Sequence, residues 1–256
     1  LQDREGTFRK DLVKEEALIP CSAECPAHIN IPQYISQIAK GDYDGAVATI
    51  REKVPFPTAL GYVCTSYCQK KCKRNGLNGA VDIKGLKLFA AHHDKTQSWH
   101  DQYVKTAPAT GKKVAIIGGG PSGLSCAYYL ALMGHGVTVY EEREQLGGML
   151  RYGIPSYRLP RERLDEEIES ILSTGIHVHT EVSIGKDVTF KDLKKQYDCL
   201  YISIGAHTDK KTGIPGEDSH NVMSAVEMLR RIGDDDMPDF TGKSVVVIGG
   251  GNVAMD

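Results

Sequence analysis

The feature that most constrains the fold is an apolar run that ends in a glycine-rich turn. Residues 114–117, VAII, form a short buried-strand pattern that leads into GGGPSG at residues 118–123. In this GxGxxG the first glycine permits the tight turn, and the third lets the backbone approach a pyrophosphate. The last lets a helix from Ser122 to Met133 pack on the strand. Glu141 follows the next predicted strand, where a carboxylate can bind ribose hydroxyls, so the pattern predicts a dinucleotide-binding fold.

The same pattern returns near the end of the sequence. Residues 245–248, VVVI, form a predicted strand that leads into GGGNVA at residues 249–254, a GxGxxA that opens another helix. Two such units indicate a flavoprotein with one fold for FAD and one for NAD(P), because a dehydrogenase with a single cofactor needs only one. The sequence opens with Leu1 and stops at Asp256, shortly into this helix, so we expect it to be a fragment.

Five of the seven cysteines lie in the first part of the chain, spaced as Cys21-x3-Cys25-Pro and Cys64-x3-Cys68-x3-Cys72. Thiolates hold iron–sulfur clusters, commonly four per cluster, and short spacings with a proline after one cysteine recur in such sites. Zinc also takes four thiolates, and a disulfide or unligated buried cysteines are further alternatives. A flavin in the same chain favours the cluster, because it gives a redox centre an electron donor.

The remaining cysteines and a basic segment permit several roles. We expect Cys126, on the predicted helix, and Cys199, inside a predicted strand, to be core residues. A basic surface beside Cys72 consists of Lys70, Lys71, Lys73 and Arg74. These four side chains can offset the charge of a thiolate-bound cluster, dock an acidic partner, or form a solvated face.

Composition excludes several classes of function. The formal net charge of −2 offers no strong field for nucleic acid or an anionic membrane. The sequence contains no apolar stretch long enough to span a membrane and no signal-peptide pattern in its first 30 residues. The odd cysteine count does not fit a secreted disulfide scaffold. We therefore expect a cytoplasmic protein.

The order of patterns predicts an α/β protein in three parts. Residues 1–108 have helical spacing at 31–40 and 42–53 and little strand character, which predicts a small helical iron–sulfur domain. Residues 109–240 alternate strands and helices, which predicts the first part of a Rossmann-like FAD-binding domain, and residues 241–256 begin an NAD(P)-binding domain. Within the second part we predict strands at 137–140 and 198–204 and helices at 161–174 and 224–233.

Several longer stretches carry a resemblance to a known family. They are CPAHINIPQYI, GYVC with the two cysteines after it, VAIIGGGPSGLSCAYYL, VTVYEE, LGGMLRYGIPSYRLP, YISIGA, IPGE and VVVIGGGNVAMD. With them the chain resembles the glutamate synthase small-subunit family, which includes the amino-terminal part of dihydropyrimidine dehydrogenase and flavin subunits of bifurcating transhydrogenases. The resemblance covers nearly all 256 residues. It implies a front helical domain with two [4Fe-4S] clusters and an NAD(P) domain inserted into the FAD domain.

The resemblance also implies the residues that bind each nucleotide. For FAD they are Gly118, Gly120, Pro121, Ser122, Gly123, Leu124, Glu141, Gln145, Leu146, Gly147, Gly148, Met149, Arg158, Ile184, Gly205 and Ala206. For NAD(P) they are Gly249, Gly251, Asn252, Val253 and Ala254.

Two departures from the family bear on the number of clusters. Members with two clusters have a further CxxC just before the position of Cys21, where this chain reads KEEALIP. The family also tends to place Gln or Glu as a non-cysteine ligand where this chain has Lys87, a poor ligand unless it is deprotonated. We therefore expect one cluster, held by four of the five front cysteines, and a second only if other ligands complete it.

Together these features predict an NAD(P)H-dependent, FAD-containing oxidoreductase subunit. Hydride passes from NAD(P)H to the flavin, and single electrons then pass through the cluster to a partner subunit or ferredoxin in a heteromeric complex. This chemistry needs no side-chain nucleophile, so we expect no catalytic residue. No CxxxxC follows the first glycine turn, which argues against disulfide reduction. The alternatives are a glutamate synthase small subunit and a non-catalytic electron-relay subunit.

Overall fold

The computed structural model describes residues 19–93 and 103–256. The first range is helical: α1 (Pro20–Glu24), α2 (Ile31–Ala39), α3 (Tyr43–Arg51), α4 (Pro57–Val63), α5 (Tyr67–Lys70), a 3-10 turn (Lys73–Gly76) and α6 (Ile83–His93). The second range contains β1 (Lys113–Ile117), α7 (Pro121–Leu132), β2 (Gly136–Tyr140), α8 (Met149–Tyr152), α9 (Arg161–Leu172), β3 (His177–His179), α10 (Phe190–Gln196), β4 (Cys199–Ile202), α11 (Ala225–Gly233) and α12 (Asn252–Met255).

Side-chain caps explain where the predicted front helices begin. At the start of α2 the Asn30 side chain accepts a hydrogen bond from the Gln33 amide, and at the start of α3 the Asp42 side chain accepts one from the Gly45 amide. Each cap satisfies an N–H group that has no partner inside the helix. The helices predicted at 31–40 and 42–53 are confirmed, as is the helix that Ser224 caps.

The four strands form one parallel sheet in the order β3-β2-β1-β4. This is the order of a Rossmann half, and β1, from which the first glycine turn leaves, lies between β2 and β4. The strands predicted at 137–140 and 198–204 are confirmed as β2 and β4, and the helix predicted at 161–174 as α9. The predicted α/β class is therefore confirmed.

Alternate residues of β1 enter two different cores, because neighbouring side chains of a strand point to opposite faces. Val114 and Ile116 join a large cluster that also contains buried side chains of the front helices, such as Ile50. Ala115 and Ile117 join a smaller cluster with Leu193 of α10. The helical part thus shares the core on one side of the sheet, where α4 packs on α9.

Two expectations were wrong. Residues 245–248 are not a strand in the part of the chain that the structure describes, and Val246 is 86% exposed. An apolar run needs hydrogen-bonded neighbours on the sheet to become a strand, and no neighbour pairs with this one. Cys199 is exposed rather than part of the core, because β4 is an edge strand, while Cys126 is partly buried. No helix among the described residues is long and apolar enough to cross a membrane.

Candidate functional site

The first glycine turn lies between the ends of β1, β2 and β4. Gly118 has a φ of +105°, its amide donates to the Tyr140 carbonyl at 2.8 Å, and a Cβ on it would overlap the Ser203 backbone. A Cβ on Gly123 would overlap the Gly118 carbonyl oxygen. Glycine is therefore required at both positions, at Gly118 for the turn itself and at Gly123 for the close approach of α7.

A second glycine pair closes over this turn. The Gly147 amide donates to the Gly119 carbonyl at 2.9 Å, and a Cβ on Gly148 would come within 2.7 Å of the Gly120 Cα. Gly147 and Gly148 both have positive φ values, +120° and +51°. The two glycine segments thus meet backbone to backbone without side chains between them, as a turn that cradles a pyrophosphate requires.

Glu141 stands over the turn at the end of β2. Its carboxylate accepts from the Gly119 amide at 2.7 Å and from the Arg143 amide at 3.0 Å. These bonds hold the carboxylate beside the glycines, on the side where the sequence places a ribose contact.

A buried arginine fixes the loop that carries Gly147 and Gly148. The Arg151 guanidinium donates to the Leu146 carbonyl at 2.7 Å and pairs with Asp165 of α9. The Tyr152 hydroxyl donates to the Gln145 carbonyl at 3.1 Å. The loop is therefore held in place by side chains that follow it in the sequence.

The structure groups most of the predicted FAD residues at this turn but separates a few. The residues that lie together at the first turn are Gly118, Gly120, Pro121, Ser122, Gly123, Leu124, Glu141 and the loop from Gln145 to Met149. Gly205 and Ala206 follow β4 after Ser203 and are exposed. Ile184 packs on the other sheet face, against the smaller core cluster.

Arg158 lies by the second glycine unit instead. Its guanidinium pairs with the side chain of Asp256, and the Tyr157 hydroxyl donates to the Asp256 backbone carbonyl at 3.4 Å. A contact between Arg158 and FAD therefore stays a prediction.

The second glycine turn is more open. Gly249 has a φ of +135°, and Asn252, Val253 and Ala254 lie in the short helix α12. A Cβ on Gly251 would meet no heavy atom within 4 Å. Within residues 19–93 and 103–256 no segment closes over this turn as Gly147 and Gly148 close over the first.

The sequence patterns did not predict three residues that contact the first turn or its loop. Ser203 donates through its hydroxyl to the carbonyls of Ile117 and Gly118, at 3.0 and 3.1 Å. The Tyr201 hydroxyl lies 3.0 Å from the Ser122 hydroxyl, and Arg151 fixes the loop. The only signal for the first two was their place in a strand that ends beside β1.

Four of the five front cysteines lie near one buried tyrosine, Tyr34. The Tyr34 hydroxyl donates to the Ile83 carbonyl at 2.9 Å, and burial raises its pKa. The negative charges of ionised Cys68, Cys25, Cys21 and Cys64 raise the pKa further, which places all four thiols near Tyr34. Consistently, α1, which carries Cys21 and leads into Cys25, packs on α5, which carries Cys68.

Lys87 of α6 faces the same group. Its side chain is 6% exposed, and burial lowers the pKa of its ammonium, whereas Cys64, Cys25 and Cys68 act to raise that pKa. Burial likewise raises the pKa of the Cys68 thiol, and Lys87 opposes that rise. The Lys87 amino group is thus buried beside three thiols.

Cys72 has a different electrostatic environment. The backbone amides of Val81 and Arg74 lower the pKa of its thiol, whereas burial and the charges of Cys64 and Cys25 raise that of Cys68. Among residues 19–93 and 103–256 no three Cys, His, Asp or Glu side chains are disposed around a single metal ion. The thiolates of a cluster bind different iron atoms. The four thiols near Tyr34 therefore fit a cluster, which is held by cysteine thiolates.

Two known families match the chain, one over its helical first part and the other over its α/β part. Residues 16–99 match the family described as dihydropyrimidine dehydrogenase domain II, 4Fe-4S cluster. Residues 83–256 match the family described as pyridine nucleotide-disulphide oxidoreductase.

Curated relatives match over 93% of the chain. They include the NADP(+)-dependent formate dehydrogenase subunit beta of Moorella thermoacetica, 40% identical, and the NADPH-Fe(3+) oxidoreductase subunit beta of Geobacter sulfurreducens, 39% identical. The NAD-dependent dihydropyrimidine dehydrogenase subunit PreT of Salmonella typhimurium is 36% identical. The chain covers 37%, 36% and 57% of their respective lengths.

One solved structure that is similar to this chain is FprA from Mycobacterium tuberculosis in complex with NADPH. It is 26% identical, with a TM-score of 0.50, over 58% of this chain and 35% of that one.

Proposed function

Because the chain belongs to the pyridine nucleotide-disulphide oxidoreductase family, with a 4Fe-4S domain in front, we propose that it moves electrons from NADPH through FAD and one [4Fe-4S] cluster to a partner protein. The oxidoreductase class, the two cofactors and the predicted family are confirmed by these matches. FAD accepts an electron pair as hydride and releases single electrons, which the cluster carries one at a time.

The observation that carries the proposal is the closed first turn. The glycines of the turn place no side chain over the backbone at the start of α7, and Gly148 closes against Gly120. The residues present therefore fit FAD: the turn would hold its pyrophosphate, and Glu141 would hold its ribose hydroxyls by exchanging the Gly119 bond for them.

For the cluster we propose Cys21, Cys25, Cys64 and Cys68 as ligands. They are the four cysteines whose charges act on Tyr34, whereas the Cys72 thiol is influenced by backbone amides. Lys87 would then offset part of the negative charge that four thiolates bring into a buried place. The reduced thiols that this site requires favour the cytoplasm as the compartment of the protein.

For the electron donor we propose NADPH, bound with Gly249, Gly251, Asn252, Val253 and Ala254. Two of the relatives are named for NADP, and the FprA structure contains NADPH, whereas PreT is named as NAD-dependent. Reduction of the flavin by NADPH and by NADH, compared in the full-length protein, tests this choice.

For the electron acceptor we propose an acidic partner subunit or ferredoxin. The relatives are named as subunits, and the basic surface of Lys70, Lys71, Lys73 and Arg74 is exposed beside the cysteines. Leu77, 83% exposed, adds an apolar contact to that surface. A glutamate synthase small subunit, with glutamate synthesis as the destination of the electrons, is the second candidate.

The decisive experiment is anaerobic purification of the full-length protein, followed by iron, sulfide, zinc and flavin analysis and by mixing with NADPH. We expect about four irons per chain, a flavin spectrum, and bleaching of both flavin and cluster by NADPH. Zinc in place of iron, or a flavin that no pyridine nucleotide reduces, would contradict the proposal. The second of these outcomes would favour a non-catalytic relay subunit.

A further inference from the structure

A glutamate of the α/β part reaches into the helical part and caps one of its helices. The Glu167 carboxylate, on α9, accepts from the Thr58 amide at 2.6 Å and from the Ala59 amide at 2.9 Å. These amides belong to the first turn of α4, whose own N-cap residue, Phe56, provides no side-chain bond. Glu167 therefore satisfies N–H groups that would otherwise lack a partner in a buried place.

The surroundings of Glu167 make this contact rigid. The residue is 2% exposed, and burial raises the pKa of its carboxyl, while the charge of Arg51 and the two amides act to lower it. The Arg51 carbonyl accepts from the Tyr129 hydroxyl of α7 at 3.0 Å. Helices from both parts of the chain are thus joined around one buried carboxylate by directional bonds.

The same helix α9 also touches the loop that closes the first glycine turn. A Cβ placed on Gly147 would be 3.4 Å from a methyl of Leu164 and 3.5 Å from the terminal methyl of Ile168. Both side chains are buried in the large core, and Arg151 ties the loop to Asp165 of α9. Glu167 lies between Leu164 and Ile168 in sequence, so one helix, α9, contacts both this loop and α4.

Helix α4 continues this connection to the cysteines. From the amides that Glu167 binds, α4 runs to Val63, and Cys64 follows with its amide bonded to the Leu60 carbonyl at 3.2 Å. A seven-residue helix is about 10 Å long, so a change at its start is transmitted to Cys64 with little loss. One chain of direct contacts therefore joins Gly147 to Cys64.

We propose that Glu167 is a positioning residue for electron transfer: by holding α4 against α9 it sets the separation between the flavin and the cluster. This role rests on the proposed function, because it needs FAD at the first turn and a cluster at Cys64. Electron transfer over a fixed gap falls steeply as the gap widens, so a small displacement of α4 changes the rate.

The test is Glu167→Gln in the full-length holoprotein. The NH2 group of the new side chain would face a backbone N–H from which the carboxylate accepted a hydrogen bond. The start of α4 therefore loses one of its two hydrogen bonds to α9. We expect flavin reduction by NADPH to stay at the wild-type rate. The following reduction of the cluster, measured per cluster by stopped flow and by EPR of the reduced cluster, should slow by roughly 10-fold to 100-fold. Glu169→Gln, an exposed glutamate of the same helix, is the matched control and should slow nothing.

Glu167→Asp separates positioning from simple stability. It keeps the charge but shortens the side chain, so we expect a folded protein with a smaller loss of rate. Hydrogen exchange at the Thr58 and Ala59 amides should quicken in both variants. Faster exchange combined with wild-type cluster reduction would overturn the proposal and leave Glu167 as a stabilising contact. Failure of the wild-type protein to bind a cluster, or of NADPH to reduce its flavin, would instead contradict the proposed function.

Discussion

The two glycine-rich turns share a sequence pattern but differ in what encloses them. Around the turn at residues 118–123, β4 supplies Ser203, β2 supplies Glu141, and Gly148 approaches Gly120 backbone to backbone. Around the turn at residues 249–254 the preceding apolar run is exposed and unpaired. Glycines at the right spacing make a nucleotide site possible, and at the first turn neighbouring strands and a loop enclose it.

The front cysteines repeat this contrast on a smaller scale. Cys68 is buried, and Cys64, Cys25 and Lys87 act on its thiol. Cys72 is partly buried, and backbone amides act on its thiol instead. Residues of one type at regular spacing thus have different surroundings in the fold.

The largest expected effect is on iron binding by the cysteines. Cys68→Ser removes the buried member of the proposed ligand set, so we expect it to lose most of the roughly four irons per chain. Cys72→Ser, the matched control, should retain them. Iron and sulfide analysis after anaerobic purification measures both. Equal loss of iron in the two variants would break the distinction and make Cys72 a ligand.

The next effect compares the two glycine turns directly. In Gly123→Ala the new Cβ would overlap the Gly118 carbonyl oxygen, so α7 must move away from the turn. We expect a loss of about 2–3 kcal/mol in the free energy of unfolding and little bound FAD. Gly250→Ala has no heavy atom within 4 Å of the new Cβ and should change stability by less than about 0.5 kcal/mol. Denaturant unfolding measures the stability of both variants, and the flavin-to-protein ratio measures how much FAD each one binds.

A third effect tests whether the closing loop depends on its arginine. Arg151→Ala leaves the buried Leu146 carbonyl without its donor and removes the charge partner of half-exposed Asp165. We expect a stability loss of about 2 kcal/mol, with weaker FAD binding because Gly148 is no longer held against the turn. The control is Arg163→Ala, whose pair with Glu166 is exposed and worth about 0.5 kcal/mol at most. If FAD affinity is unchanged in Arg151→Ala, the loop closes without it.

Local patterns predicted those parts of the site that depend on neighbours in sequence. The turn at residues 118–123, the position of Glu141 and the helices with side-chain caps all follow from spacing that the chain itself imposes. The strand expected at residues 245–248 did not form, because a strand is defined by partners that spacing does not reveal.

Contacts between distant residues could not be predicted in the same way. Ser203 meets Gly118 through parallel strand pairing, and Arg158 meets Asp256 across almost 100 residues of sequence. Glu167 appears in the sequence as one acid among several on α9, and only packing shows that it is buried against α4. The sequence pattern thus indicates which chemical groups are present, and the fold determines which of them lie together.

The smallest expected effect concerns the charge beside the cluster. Lys87→Met removes a cation that is buried among three cysteines, so the more negative reduced form of the cluster loses a stabilising neighbour. We expect the reduction potential to fall by roughly 60 mV, which is a tenfold change in a one-electron equilibrium constant. Lys84→Met, one turn away on α6 and less buried, should lower it much less because solvent screens its charge. Redox titration followed by EPR measures both variants, and equal shifts would mean that enclosure does not distinguish the two lysines.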